Sequence, residues 1–240
     1  MPDTRQFKFG RQAATYPIGY RGIERYVASL PEPPMTFDPT NGFDGFHILG
    51  NGPDPSLTVH GGAPVGDCAW VATVNIELID SVETDQAFTI PSSDEVVTDY
   101  LRYNHGKDVG ANLSQLLAYW HTVGLPWAGK LPAYASLSLD WDTFWAGTYA
   151  FGTGYLGITV TETMMSQTQS QEAWDLTGLS TDRNVLGGHA VVGFSKESND
   201  VGVVATWGMR QRFTRRWFEA CVEEDNVALT AAQIAAKGNG

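Results

Sequence analysis

Apolar positions recur at helical spacing through the first half of the chain. Ile23, Tyr26, Val27 and Leu30 predict a helix over 19–30, stopped by the prolines of Leu30-Pro31-Glu32-Pro33-Pro34. Residues 68–82 form an apolar helical segment that opens directly after Gly66-Asp67, with the Asp67 carboxylate placed to accept from the free amides of the first turn. A further helix is predicted over 91–104, with Ser92 or Ser93 as cap and Val96, Val97, Tyr100 and Leu101 on one face. Another covers 111–123, carries Leu113, Leu116, Leu117 and Trp120, and stops at Gly124. Residues 1–17 read as an irregular arm, and the Gly, Pro and Asp of 37–66 read as a surface loop.

From about residue 130 the pattern changes to short strands. Residues 154–161 alternate and carry β-branched side chains, and the apolar runs 189–194 and 201–207 flank a polar turn, as a hairpin requires. Thr214 caps a short helix reaching Ala220, a last strand lies near 226–230, and 231–240 reads as a low-complexity, flexible tail. Helices first and strands second make an α+β protein with a cleft between its halves. The organisation is an arm and helix over 1–50, one domain over 51–230, and the tail.

Composition narrows the function. The 240 residues carry a net charge of −12, which disfavours a phosphate backbone as partner, so no nucleic acid is expected. Arg210, Arg212, Arg215 and Arg216 form one basic run, read as a solvated helix start beside Glu223-Glu224-Asp225. The first residues are charged where a signal peptide is apolar, and no stretch reaches membrane-spanning length, so no membrane partner is expected. Two cysteines, Cys68 and Cys221, are no disulfide framework. Neither metal-ligand spacing nor a phosphate loop appears, and no cofactor is implied.

Cys68 has the chemistry of interest. A thiol in the first turn of a helix meets the positive end of the dipole and unpaired amides, both of which favour the thiolate; the Asp67 charge opposes them. A thiolate needs a base, and His189, following Gly187-Gly188 at a strand start, stands out among the five histidines.

Gly66-Asp67-Cys68-Ala69-Trp70, Gly187-Gly188-His189-Ala190-Val191-Val192-Gly193-Phe194 and Ala205-Thr206-Trp207-Gly208 together resemble the papain-like cysteine peptidases. The resemblance implies a papain-like fold, with a helical lobe carrying the Cys and a β-rich lobe carrying the His. It also implies a Cys68–His189 pair facing across the cleft, and a tryptophan, Trp207, covering the imidazole. More narrowly, the arm, the segment 47–52 and the Trp217-Phe218-Glu219 region make the chain similar to divergent members from actinobacteria and their tailed phages, loosely related to bacteriocin-leader peptidases.

Two positions depart from the family. Ala205 stands at the separation from His189 where the family carries the Asn that orients the ring; Thr206, one residue on, is expected to point to the other face. Asp140, Asp142 and Asp175 are alternative orienting acids. Gly62 stands where the family carries an oxyanion-hole side chain, leaving Asn51 and His60 as candidates beside the Cys68 amide.

The resemblance implies a cysteine hydrolase acting on a peptide or protein through a thioester. The alternative is a weakened or inactive member serving as a structural or binding module, with other virion proteins as partners. Either would reside in a host cytoplasm or on a particle.

Overall fold

The computed structural model describes residues 10–12, 31–40, 65–176 and 184–238. The helix expected over 19–30 lies outside them. The first half is helical: α1 (Cys68–Glu83), α2 (Ser93–Tyr103) and α3 (Leu113–Thr122). After a short strand β1 (Ala133–Ser136) come α4 (Trp141–Phe151), β2 (Gly154–Thr161), α5 (Glu162–Ser170) and β3 (Val185–Lys196). The chain continues through β4 (Val201–Thr206), β5 (Met209–Thr214), α6 (Arg215–Cys221), β6 (Val222–Leu229) and α7 (Ala231–Gly238). The strands form one antiparallel sheet in the order β1-β6-β2-β3-β4-β5. This is the α+β arrangement expected from the pattern. No helix among the described residues is long and apolar enough to cross a membrane.

Local chemistry explains the boundaries. Ser92 caps α2 through a capping box with Glu95, Asn112 accepts from the Gln115 amide at the start of α3, and Thr214 accepts from Trp217 at the start of α6. Asp67 differs from expectation: it holds the N-cap position of α1, but its side chain makes no capping hydrogen bond. Helix α4 replaces part of the expected strand region. Asp140 accepts from the amides of Asp142 and Thr143, and Trp141, Phe144, Trp145 and Thr148 fall on one buried face. Residues 231–238, read as tail, instead form α7, held where Gln233 donates to Glu83 (2.7 Å) and Thr230 donates to Asp80 (2.8 Å).

The sheet divides two apolar clusters. Trp70, Val74, Leu117 and Trp120 pack with Ala190, Val192 and Ala205 on the α1 side. Trp145, Trp174, Phe213 and Phe218 pack with Val191 and Val204 on the other. Each fully buried aromatic contributes roughly 1.5–3 kcal/mol relative to exposure. Three arginines of the basic run have partners: Arg210 pairs with Asp38 and lies over the Phe194 ring, Arg215 pairs with Glu219, and Arg216 pairs with Asp175.

Helix α1 carries acids into this packing. Burial raises the Glu77 carboxyl to about 7 and pushes Asp80 well above the ordinary range. A carboxyl whose folded pKa exceeds its unfolded one holds its proton more tightly when folded. Its stabilising effect is complete below about 4.5 and is lost as pH rises toward 7. Glu77→Gln should remove that decline, leaving the variant more stable than the parent by roughly 2 kcal/mol at neutral pH. Urea melts between pH 4.5 and 7.5 measure it; parallel curves for the two proteins would refute it.

Candidate functional site

The sulfur of Cys68 is buried at the first turn of α1, against the backbone amides of Ala190, Gly10 and Ala69. Burial pushes the thiol up to about 11; the three amides oppose the rise, and the Asp67 charge adds to it. Ala190 directly follows His189, so the sulfur is seated on the strand that carries the imidazole. His189 is fully buried, and burial lowers its pKa to about 3. It lies inside β3 rather than at its start, paired with Ile158, because Gly187 and Gly188 continue the ladder with β2.

The ring is gripped on two sides. Its Nε2 lies 2.8 Å from the hydroxyl oxygen of Thr206, and the Trp207 ring stacks on it with centroids 4.5 Å apart at 15°. Its Nδ1 is buried without a hydrogen-bond partner among the described residues, the Cys68 sulfur included. The tautomer that donates from Nε2 to Thr206 leaves Nδ1 as a lone pair. Trp207 holds its position in a two-residue β4–β5 turn in which Trp207 and Gly208 have φ of 45° and 75°, the left-handed geometry of a type I′ hairpin.

Thr206 corrects the expectation that it faces away. In the β3–β4 ladder, Gly193 pairs with Val204 but Ser195 pairs with Val203, so Phe194 is an extra residue in β3. One extra residue in a hairpin exchanges the faces of everything beyond it. Ala205, opposite Val192, therefore points into the α1-side cluster, while Val191 and Val204 point to the other. Carrying the register one step on places Thr206 opposite Val191, on the face of His189. The acids offered as alternatives are engaged elsewhere: Asp140 caps α4, Asp142 is near Arg215, and Asp175 binds Arg216 and Thr214. Asn51, His60 and Gly62 lie outside the described residues. Cys221 is a buried thiol outside any disulfide, in the opposite cluster.

Residues 10–12 of the arm reach the sulfur, a placement that could be found only in three dimensions. The Gly10 carbonyl accepts from the Ala111 amide (2.6 Å), the Gln12 amide donates to the Ala111 carbonyl (2.6 Å), and the Arg11 amide donates to the Gly188 carbonyl (3.1 Å). Residues 10–12 thus bridge the helical lobe and β3 directly over the sulfur. The fit is close: a Cβ on Gly10 would lie 1.9 Å from the Gly66 carbonyl oxygen.

Comparison with solved structures decides the fold. Xylellain, a cysteine protease from Xylella fastidiosa, superimposes with a TM-score of 0.67 at 14% identity, over 96% of this chain and 99% of that one. The fold is papain-like. Procathepsin L 3 of the Tenebrio molitor larval midgut matches with a TM-score of 0.54 at 12% identity, covering 85% of this chain and 72% of its own. ProCathepsin B S9 from Trypanosoma congolense matches with 0.56 at 14%, covering 95% and 87%. Neither a protein-family model nor a curated protein sequence matches the chain.

A covered, protonated thiol reacts slowly. Iodoacetamide at neutral pH should label Cys68 no faster than Cys221 in the parent protein. Gly10→Val, which cannot seat the arm, should speed Cys68 labelling at least about tenfold and leave Cys221 unchanged. Mass-resolved labelling rates measure this, and an unchanged Cys68 rate would show that the arm does not control access.

Proposed function

We propose that the chain is a cysteine hydrolase acting on peptide or protein amides, with Cys68 as nucleophile, His189 as base and acid, and the arm covering the cleft in a latent state. The observation that carries the reading is the seating of a helix-first-turn sulfur on the amide following His189, while Thr206 and Trp207 hold that imidazole. Two of the structural neighbours are named as pro-forms, which accords with a covered cleft.

In this reading the Cys68 sulfur and His189 Nδ1, which share no hydrogen bond in the closed chain, come within bonding distance once the arm leaves, and the thiol proton passes to Nδ1 as water lowers the cost of both charges. The thiolate attacks the substrate carbonyl carbon, forming a C–S bond, and the carbonyl oxygen takes the negative charge beside the amide of Cys68. Collapse breaks the C–N bond as His189 returns the proton to the amine. A water molecule, deprotonated by His189, then attacks the thioester; the C–S bond breaks and the acid product departs. Thr206 acts as a positioning residue in place of the missing Asn, holding the ring so that Nδ1 stays free.

The second reading is a structural or binding module on a virion, the role implied by the resemblance to tailed-phage proteins. The burial that keeps both the thiol and the imidazole neutral favours it. Turnover separates the two readings. In the Gly10→Val protein, fluorogenic peptidyl amides should be hydrolysed, and Cys68→Ala or His189→Ala should abolish the activity. Thr206→Val should lower kcat about 10- to 100-fold with little change in KM and shift the pH profile, and Thr206→Ser should restore it. Absence of both hydrolysis and acyl-enzyme in the arm-released protein would leave the module.

A further inference from the structure

The turn that presents the sulfur is held from outside α1. A side chain at the N-cap is the usual anchor of a helix start, but Asp67 makes no capping hydrogen bond. The amide of Gly66, two residues before Cys68, instead donates to Oδ1 of Asp108 (2.9 Å) in the loop between α2 and α3. The same oxygen accepts from the Tyr100 hydroxyl on α2 (2.7 Å), and that hydroxyl accepts from the Gly110 amide (2.8 Å). Burial and the hydrogen bond to Asp108 raise the Tyr100 pKa, so the phenol keeps the proton it donates.

This pair of side chains reaches the first turn of α1 by two short routes. Gly66 leads into Asp67, whose carbonyl accepts from the Val71 amide (3.0 Å), so holding Gly66 fixes the chain on its way into the helix. The Tyr100 ring packs against Trp70 in the same turn, with centroids 5.5 Å apart. The Ala69 carbonyl is held separately by Tyr155 on β2. The packing leaves Gly66 no room for a side chain: a Cβ there would lie 2.9 Å from the Gly10 Cα and 3.2 Å from Asp108 Oδ1. Gly110 is braced on its other side, where its carbonyl accepts from Asn104 (3.3 Å).

We propose that Asp108, oriented by Tyr100, is a positioning residue for the nucleophile: it sets the turn 66–68 so that the Cys68 amide points to where the oxyanion forms. The inference rests on the hydrolase reading above and names how that site is aligned. A donor to the oxyanion must sit about 3 Å from it, and a misplacement of about 1 Å costs on the order of 100-fold in rate. Hydrogen bonds to a carboxylate are roughly twice as strong as neutral ones, which suits an anchor outside the helix. Because the oxyanion exists only after attack, the effect falls on kcat rather than KM.

The test uses full-length Gly10→Val protein. There Asp108→Ala should lower kcat for fluorogenic peptidyl amides about 10- to 100-fold, with KM changed less than about threefold. Asp108→Asn, whose Oδ1 still accepts both bonds, should stay within about fivefold of the Asp108 protein. Two probes of the sulfur separate alignment from loosening. With the aldehyde acetyl-leucyl-leucyl-norleucinal, Cys68 forms a C–S bond and the thiol proton passes to the carbonyl oxygen, which lies against the Cys68 amide. Iodoacetamide reacts at a saturated carbon, releases iodide and needs no such donor. Asp108→Ala should weaken aldehyde inhibition at least about tenfold while alkylation of Cys68 stays within about threefold. An equal change with both probes, or none with either, overturns the proposal. Hydrolysis and aldehyde binding both absent from the Gly10→Val protein would overturn the hydrolase reading and the positioning role with it. Both present and indifferent to Asp108 would overturn the positioning role alone. Should Gly10→Val fail to fold, Arg11→Leu, which removes the arm's ion pair with Glu223, supplies the arm-released background. Should Asp108→Ala fail to fold, Tyr100→Phe should show the same split between probes at about three- to tenfold.

Discussion

The phenol of Tyr155 on β2 donates to the carbonyl of Ala69 across a buried 3.0 Å hydrogen bond, pinning the first turn of α1 to the sheet. A helix shifted by one turn would move its side chains by about 5 Å, far more than the contact between the Cys68 sulfur and the Ala190 amide tolerates. The opposite end of α1 is fixed independently by Thr230 and α7. Between these two attachments, α1-side residues Ala190, Val192 and Ala205 fill the interface with the helix. The position of the Cys68 sulfur against β3 is a consequence of that seating.

Holding the imidazole is a separate problem, solved within one hairpin. The bulge at Phe194 turns Thr206 to the side of His189, and the tight β4–β5 turn then carries Trp207 over the ring. A tryptophan at positive φ costs conformational energy that the surrounding packing must offset. Trp174 edges against it at 6.0 Å between centroids and supplies part of that packing.

Much of this was legible in the residues. Amphipathic spacing marked α1, α2 and α3, the hairpin followed from two apolar runs around a polar turn, and the papain-like fold followed from short motifs around Cys68, His189 and Trp207. What failed did so for physical reasons. Helix α4 carries the apolar spacing of any helix, but its two tryptophans and two phenylalanines suit strands equally by propensity. Counting from His189 pointed to Ala205 because a fixed separation assumes an unbroken ladder; a bulge has no sequence signature of its own and reverses the alternation. The arm's backbone reaches Gly188 and the Arg11 side chain meets Glu223, 212 positions further along the chain. No local pattern encodes such a contact.

Keeping Cys68 protonated and covered also bears on its chemical durability. Peroxide attacks thiolates, and the products beyond sulfenic acid are irreversible for most proteins. With burial holding the thiol near 11 and Gly10 lying across it, the closed chain keeps its sulfur off that ladder. On the hydrolase reading proposed above, latency and shelf life would then be the same property, and a lifted arm would leave the sulfur both useful and perishable.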